Sequence, residues 1–139
     1  MDKREGPRVR TRQAAIRIVR LYKSLARTTE AQVIGKQVLR SGTAVGVNYR
    51  AACMARSRAE FISRIGVVAE EANETIFWLE LLVDSGIMPL PRWQPLITEF
   101  TELVKISAAT WKTAKAVPTP NAAASDHITK QPNNQIYGV

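Results

Sequence analysis

Two stretches of this chain repeat their apolar residues in steps of four and three, and that spacing dictates helices packed along their length. In the first, Ile34, Val38, Ser41, Val45, Asn48 and Ala52 step 4, 3, 4, 3, 4. In the second, Phe61, Ile65, Val68, Ala72, Thr75, Leu79 and Leu82 step 4, 3, 4, 3, 4, 3. A period near 3.5 keeps one stripe of a helix facing a neighbour over many turns. Each stretch is roughly 25 to 30 residues, so about 40 Å long as a helix.

Two further segments have weaker versions of the same signal. Segment one runs from about Arg8 to Ala26 behind Pro7, with Ala15, Ile18, Tyr22 and Leu25 on one face. Segment four spans about Trp93 to Val117, with Leu96, Phe100, Leu103, Ser107 and Thr110 in one row and Ile97, Val104 and Trp111 in the next.

The boundaries have their own signals. Thr29 with Gln32 suits a capping box at the start of segment two, and Ser57 with Glu60 suits one at the start of segment three. Gly86 fits the position just past the end of segment three, with Ile87 placed to meet Leu82. Pro89 and Pro91 oppose continuation there, and Pro118 stops segment four. Residues 118–139 hold three prolines and three asparagines without periodicity, the composition of a disordered tail. The expected architecture is all-α: an antiparallel up-down-up-down four-helix bundle over residues 1–117, then the tail.

Charge divides the chain. Residues 1–64 carry 15 Lys or Arg against 4 Asp or Glu, a net of +11, whereas residues 65–139 carry 5 against 8, a net of −3. Between Gly6 and Thr29 lie Arg8, Arg10, Arg12, Arg17, Arg20, Lys23 and Arg27, with no acid. Between Ala31 and Ala59 lie Lys36, Arg40, Arg50, Arg56 and Arg58, again with none. At 100° per residue the basic residues of segment one fill the half opposite its apolar stripe. Solvated helices usually mix charge signs; a large face of one sign suits phosphate contact. Candidate nucleic-acid contacts are Arg10, Arg17, Arg20, Lys23, Arg27, Arg50, Arg56 and Arg58. The face lacks interleaved aromatics, so binding should be backbone-driven and weakly specific. Equally open is a basic surface that serves solubility alone.

Enzyme chemistry finds no support. The single histidine, His127, falls in the tail, so neither a di-metal bundle nor a histidine-activated Cys53 or serine can be assembled. Gly42 and Gly46 lie inside a helix with no preceding strand, which rules out a phosphate loop. No catalytic residue, metal ligand or cofactor is expected. With one cysteine there is no internal disulfide, and no apolar run is long enough for a signal peptide or membrane span. The expected location is cytoplasmic.

The remaining candidates are structural. Gly42 and Gly46, four apart, let a neighbouring helix approach closely; Asn48, at a heptad core position, should be buried and hydrogen-bonded. Glu71 and Glu74 repel each other on an isolated helix, so arginines across the bundle, Arg40 and Arg50, are their expected partners within the subunit or between subunits; equally open is a solvated acidic face.

Residues 40–82, "RSGTAVGVNYRAACMARSRAEFISRIGVVAEEANETIFWLELL", resemble a bacterial four-helix-bundle family first named for open reading frames inside 23S rRNA intervening sequences. The residues carrying the resemblance are Gln37, Arg40 and Ser41, then Asn48 and Tyr49, then Ser57, Glu60 and Phe61, and finally Glu71, Glu74, Trp78 and Leu79. It extends over about residues 10–115. The chain departs at Ala51, where many members carry Glu, so helix two loses an acid. Arg40, Ser41, Gly42, Gly46, Asn48, Tyr49, Glu71, Glu74 and Trp78 are together the expected structural or interface residues. The resemblance implies a homo-oligomer, with pentamers typical. A structurally similar group, the accessory variability determinant protein of diversity-generating retroelements, forms a basic barrel that contacts nucleic acid. The function expected is non-enzymatic binding of RNA or DNA; the alternative is a scaffold whose arginines meet carboxylates of a neighbouring subunit or partner protein.

Overall fold

The computed structural model describes residues 5–118, which form four helices and, among the described residues, no strand. They are α1 (Glu5–Ser24), α2 (Thr29–Cys53), α3 (Arg58–Asp84) and α4 (Leu90–Ala116). The tail expected from residue 118 lies, apart from Pro118, outside the described residues.

Short links force successive helices to run antiparallel, and α2 and α3 form the best-packed pair, with α1 against α2 and α4 against α3. Contact between α1 and α4 is much sparser than in these three pairs. The α3 stripe is buried as its spacing predicts: Phe61, Ile65, Val68, Ala72, Thr75, Leu79 and Leu82 all face the core. On α4 the buried row is Leu96, Ile97, Phe100, Leu103, Ser107 and Ala114, with Thr110 half-buried.

On α1 the stripe is rotated from the expected one. Thr11, Ala14, Ile18, Leu21 and Leu25 are buried, while Ala15 and Tyr22 are half-buried. Adjacent apolar residues at 14–15 and 21–22 leave both stripes open; packing chose one. Tyr22 turns its hydroxyl to donate to Gln32 Oε1 at 2.9 Å, and Gln32 Nε2 donates to Ala26 O at 2.8 Å, fastening the α1–α2 link. Gln32 is therefore not in a capping box. The N-cap is Thr28, whose hydroxyl accepts from Ala31 N, and a box would need an acid or amide at Ala31.

At α3, Ser57 caps as expected, accepting from Glu60 N at 3.0 Å. The Glu60 carboxylate accepts from Arg56 N at 2.7 Å, one residue before the cap. The α3 exit is a Schellman turn: Ile87 N donates to Leu82 O at 2.9 Å, Gly86 N to Val83 O at 3.0 Å, and Gly86 has φ 78°. Helix α4 begins three residues earlier than its apolar spacing suggests. Pro91 sits in the first turn, where no intrahelical N–H is required, and Pro95 is carried inside the helix.

Candidate nucleic-acid interface

The position of α1 follows from three glycines on α2. A Cβ at Gly35 would lie 2.5 Å from Leu25 Cδ1, one at Gly42 2.7 Å from Ile18 Cγ1, and one at Gly46 3.4 Å from Thr11 O. The glycine face is thus a close helix contact, tightest at Gly35 and Gly42. Gly35, which the sequence reading overlooked, is seven residues before Gly42, the heptad spacing of that reading. With its core stripe pressed onto α2, α1 has its opposite half left outward. Arg12, Arg20 and Lys23 are exposed on that half, Arg17 is half-exposed, and Arg27 is exposed in the link that follows α1. None of the five makes an ion pair among the described residues. Arg50 on α2 is likewise exposed without an ion pair.

Other arginines of the basic half are held by the fold. Arg10 makes a two-pronged contact with Glu99 of α4, Nε to Oε2 at 3.0 Å and Nη2 to Oε1 at 2.6 Å. The hydrogen bonds to Glu99 raise the Arg10 pKa, against a smaller opposing effect of burial. Arg58 reaches the C-terminus of α4, donating to Ala114 O at 2.9 Å and 3.2 Å, to Lys115 O at 3.3 Å and to Val117 O. It satisfies carbonyls a helix end leaves without partners, and its charge opposes the helix dipole. The Arg56 side chain lies 4.0 Å from Glu60. Of the candidate contacts, Arg17, Arg20, Lys23, Arg27 and Arg50 are thus left without an ion pair among the described residues; Lys36 and Arg64 of the basic half are also exposed without one.

The cross-helix arginine–glutamate pairing forms within the chain, through Arg40. Its guanidinium contacts Glu71 Oε1 at 3.2 Å and also Glu74, and Nε donates to Gln37 Oε1 at 3.3 Å. Trp78 Nε1 donates to Glu74 Oε2 at 2.9 Å, holding that carboxylate from the other side. Arg50, the other expected partner, takes no part. Beneath this cluster, Ser41 and Thr75 are fully buried and hydrogen-bonded to each other.

Asn48 differs from expectation: it is half-buried, not buried. Its Nδ2 donates to Ala44 O at 2.9 Å in its own helix, and its Oδ1 accepts from Arg64 Nη1 at 3.3 Å. Tyr49 takes the core place instead, four residues after Val45 and three before Ala52. Tyr49 is seven residues after Gly42 and fourteen after Gly35, so it continues the buried heptad row of those glycines, one residue on from the row of Ile34, Ser41 and Asn48.

Between the first half of α1 and the second half of α2 runs an open groove of about 540 Å³. Arg8, Arg12 and Arg50 border it, Gly46 forms part of its floor, and Val9 and Val47 flank it. Arg8 and Arg12 were counted in the sequence as charge but not as site residues; only the helix packing brings them beside Arg50. Among the described residues no helix is long and apolar enough to cross a membrane.

Comparison with known proteins accords with this architecture. The family model of the 23S rRNA-intervening sequence protein matches residues 9–109. A crystal structure of a protein of unknown function from the S23 ribosomal protein family of Bacteroides thetaiotaomicron superimposes with a TM-score of 0.74. It is 37% identical, and the match covers 79% of this chain and 98% of that one. No curated protein matches. By the extent of the family match, the chain belongs to the 23S rRNA-intervening sequence protein family.

Proposed function

We propose that this protein is a non-enzymatic nucleic-acid-binding bundle that works as a homo-oligomer, a pentamer by family resemblance. It holds RNA or DNA through the outward face of α1 and the neighbouring part of α2. The observation that carries this reading is the set of cations on one side that have no ion pair among the described residues: Arg12, Arg17, Arg20, Lys23, Arg27 and Arg50. A carboxylate partner would have neutralised such a face, as Glu99 does for Arg10. Phosphates bound there release counterions, so affinity falls with salt. The test is the affinity for unrelated RNA and DNA at rising salt. Four to six phosphate contacts give a log–log slope of about −3 to −5, and replacing Arg20, Lys23 and Arg27 by Gln reduces it by about 2. A flat salt response overturns the reading.

A second reading, a protein-interaction scaffold, draws on the outer row of α3. Glu70, Asn73, Phe77, Glu80 and Asp84 are exposed there in steps of 3, 4, 3 and 4, with Phe77 56% exposed. That row is complementary in charge to the α1 face of a second copy. If the two faces join, salt dissociates the assembly itself, which sedimentation at low and high salt distinguishes from an assembly that persists while nucleic acid is released.

A further inference from the structure

We infer that the groove between α1 and α2 seats an unpaired nucleotide, so the protein prefers single-stranded nucleic acid to duplex. The inference rests on the nucleic-acid reading above and gives it a location and a strand preference. The groove brings two features together at one place. It has cations on both sides, Arg12 from α1 and Arg50 from α2, each exposed and without an ion pair among the described residues. It also has an apolar lining left in water: Val9 is 48% exposed and Val47 67%. Gly46 keeps the floor low, because nothing projects from α2 between Thr43 and Val47. The volume, about 540 Å³, lies in the range of small-molecule sites.

A ligand that satisfies both features needs a flat apolar portion and an anion a few ångströms from it. A nucleotide with its base unstacked has both: the base covers Val9 and Val47, and the flanking phosphates meet Arg12 and Arg50. A duplex turns only phosphate and ribose outward and keeps its bases stacked, so it reaches the arginines but leaves the valines wet. Beyond the groove, Lys23 on α1 and Arg27 in the link after it continue the positive surface. From Arg12 to Lys23 the helix rises about 17 Å, the reach of a few phosphates of an extended strand. That continuation favours a polyanion over a short acidic peptide. The lining is aliphatic, so every base is accepted and sequence preference is weak.

The test compares an oligouridylate of about ten nucleotides with an RNA duplex of equal length, in binding to the full chain at one salt concentration. Two double variants each remove two cations: Arg12→Gln with Arg50→Gln in the groove, and Arg20→Gln with Lys23→Gln outside it. All four side chains are exposed, so folding is retained, which circular dichroism checks. The expected result is that the parent prefers the single strand, that the groove variant loses about tenfold or more of single-strand affinity and most of that preference, and that the outer variant weakens single strand and duplex alike. The Val9 and Val47 methyl resonances shift with the oligouridylate and not with the duplex. If both variants weaken both ligands equally and the methyls stay still, the groove is no nucleotide seat, although the basic face still binds. If no RNA or DNA binds at all, both readings fall. If the groove variant changes sedimentation instead, or an acidic peptide displaces the oligouridylate from the valines, the occupant is protein and the inference is overturned.

Discussion

Thr75 Oγ1 lies 2.9 Å from Ser41 Oγ, joining α3 to α2 in the centre of the bundle where both residues are wholly buried. Each hydroxyl also has a partner in its own helix: Ser41 donates to Gln37 O at 2.9 Å, and Thr75 lies 2.7 Å from Glu71 O. Neither is stranded if the other is removed. Ser41→Ala and Thr75→Val should each cost about 1 kcal/mol, below the penalty for an orphaned buried polar group. A double-mutant cycle by urea unfolding should give a coupling of about 0.5–1.5 kcal/mol. Coupling indistinguishable from zero would show that the pair is proximity without interaction.

The glycines of α2 separate into two kinds. Gly42→Ala forces a methyl against the Ile18 side chain, which is fully buried and has no room to retreat. It should destabilise by about 1–3 kcal/mol. Gly46→Ala meets only the Thr11 carbonyl at ordinary contact distance. It should be neutral or gain up to about 1 kcal/mol from helix propensity. Gly46→Leu overfills that contact and should cost about 1–3 kcal/mol. Thermal unfolding of the three variants checks this order, and an alanine at 46 as harmful as one at 42 contradicts it.

Arg58 should behave as a helix cap. Arg58→Ala removes donors from the carbonyls of Ala114, Lys115 and Val117 and should cost about 1–2 kcal/mol. Amide exchange should quicken in the last turns of α4, while nucleic-acid affinity falls less than on loss of Arg12 or Arg50. A large affinity loss with unchanged exchange would move Arg58 to the binding surface.

The Arg40 cluster is largely in water, with the Arg40 side chain 48% exposed and those of Glu71 and Glu74 21% and 39%. Solvent screening limits its worth. Arg40→Ala should cost no more than about 1 kcal/mol, and less in molar salt. Trp78 fluorescence should change, because Glu74 loses the cation that shares it with the indole N–H. A loss of several kcal/mol would mean the cluster is buried in an assembly.

Apolar spacing determined that the chain makes four helices and which seven residues of α3 face inward, and cap residues determined where α3 begins and ends. Those signals are local: a capping serine, a glycine at positive φ, and a stripe that keeps its steps of four and three through Thr75 although Ile76 is the more apolar neighbour. The sequence also placed the basic charge on the outer half of α1, because charge and apolarity exclude each other on one helix. Tertiary structure decided what local signals left tied. Of the adjacent pairs Ala14–Ala15 and Leu21–Tyr22, contact with α2 buried the first members; of Asn48 and Tyr49, the tyrosine was buried because it shares the register of Gly35 and Gly42. It also sorted the arginines. Arg10 and Arg58 were taken by α4, which lies 89 and 56 residues away in sequence, while Arg12 and Arg50 were brought from different helices to one groove. Periodicity reports how one helix meets a generic neighbour, but a charge's partner is fixed only when the helices pack.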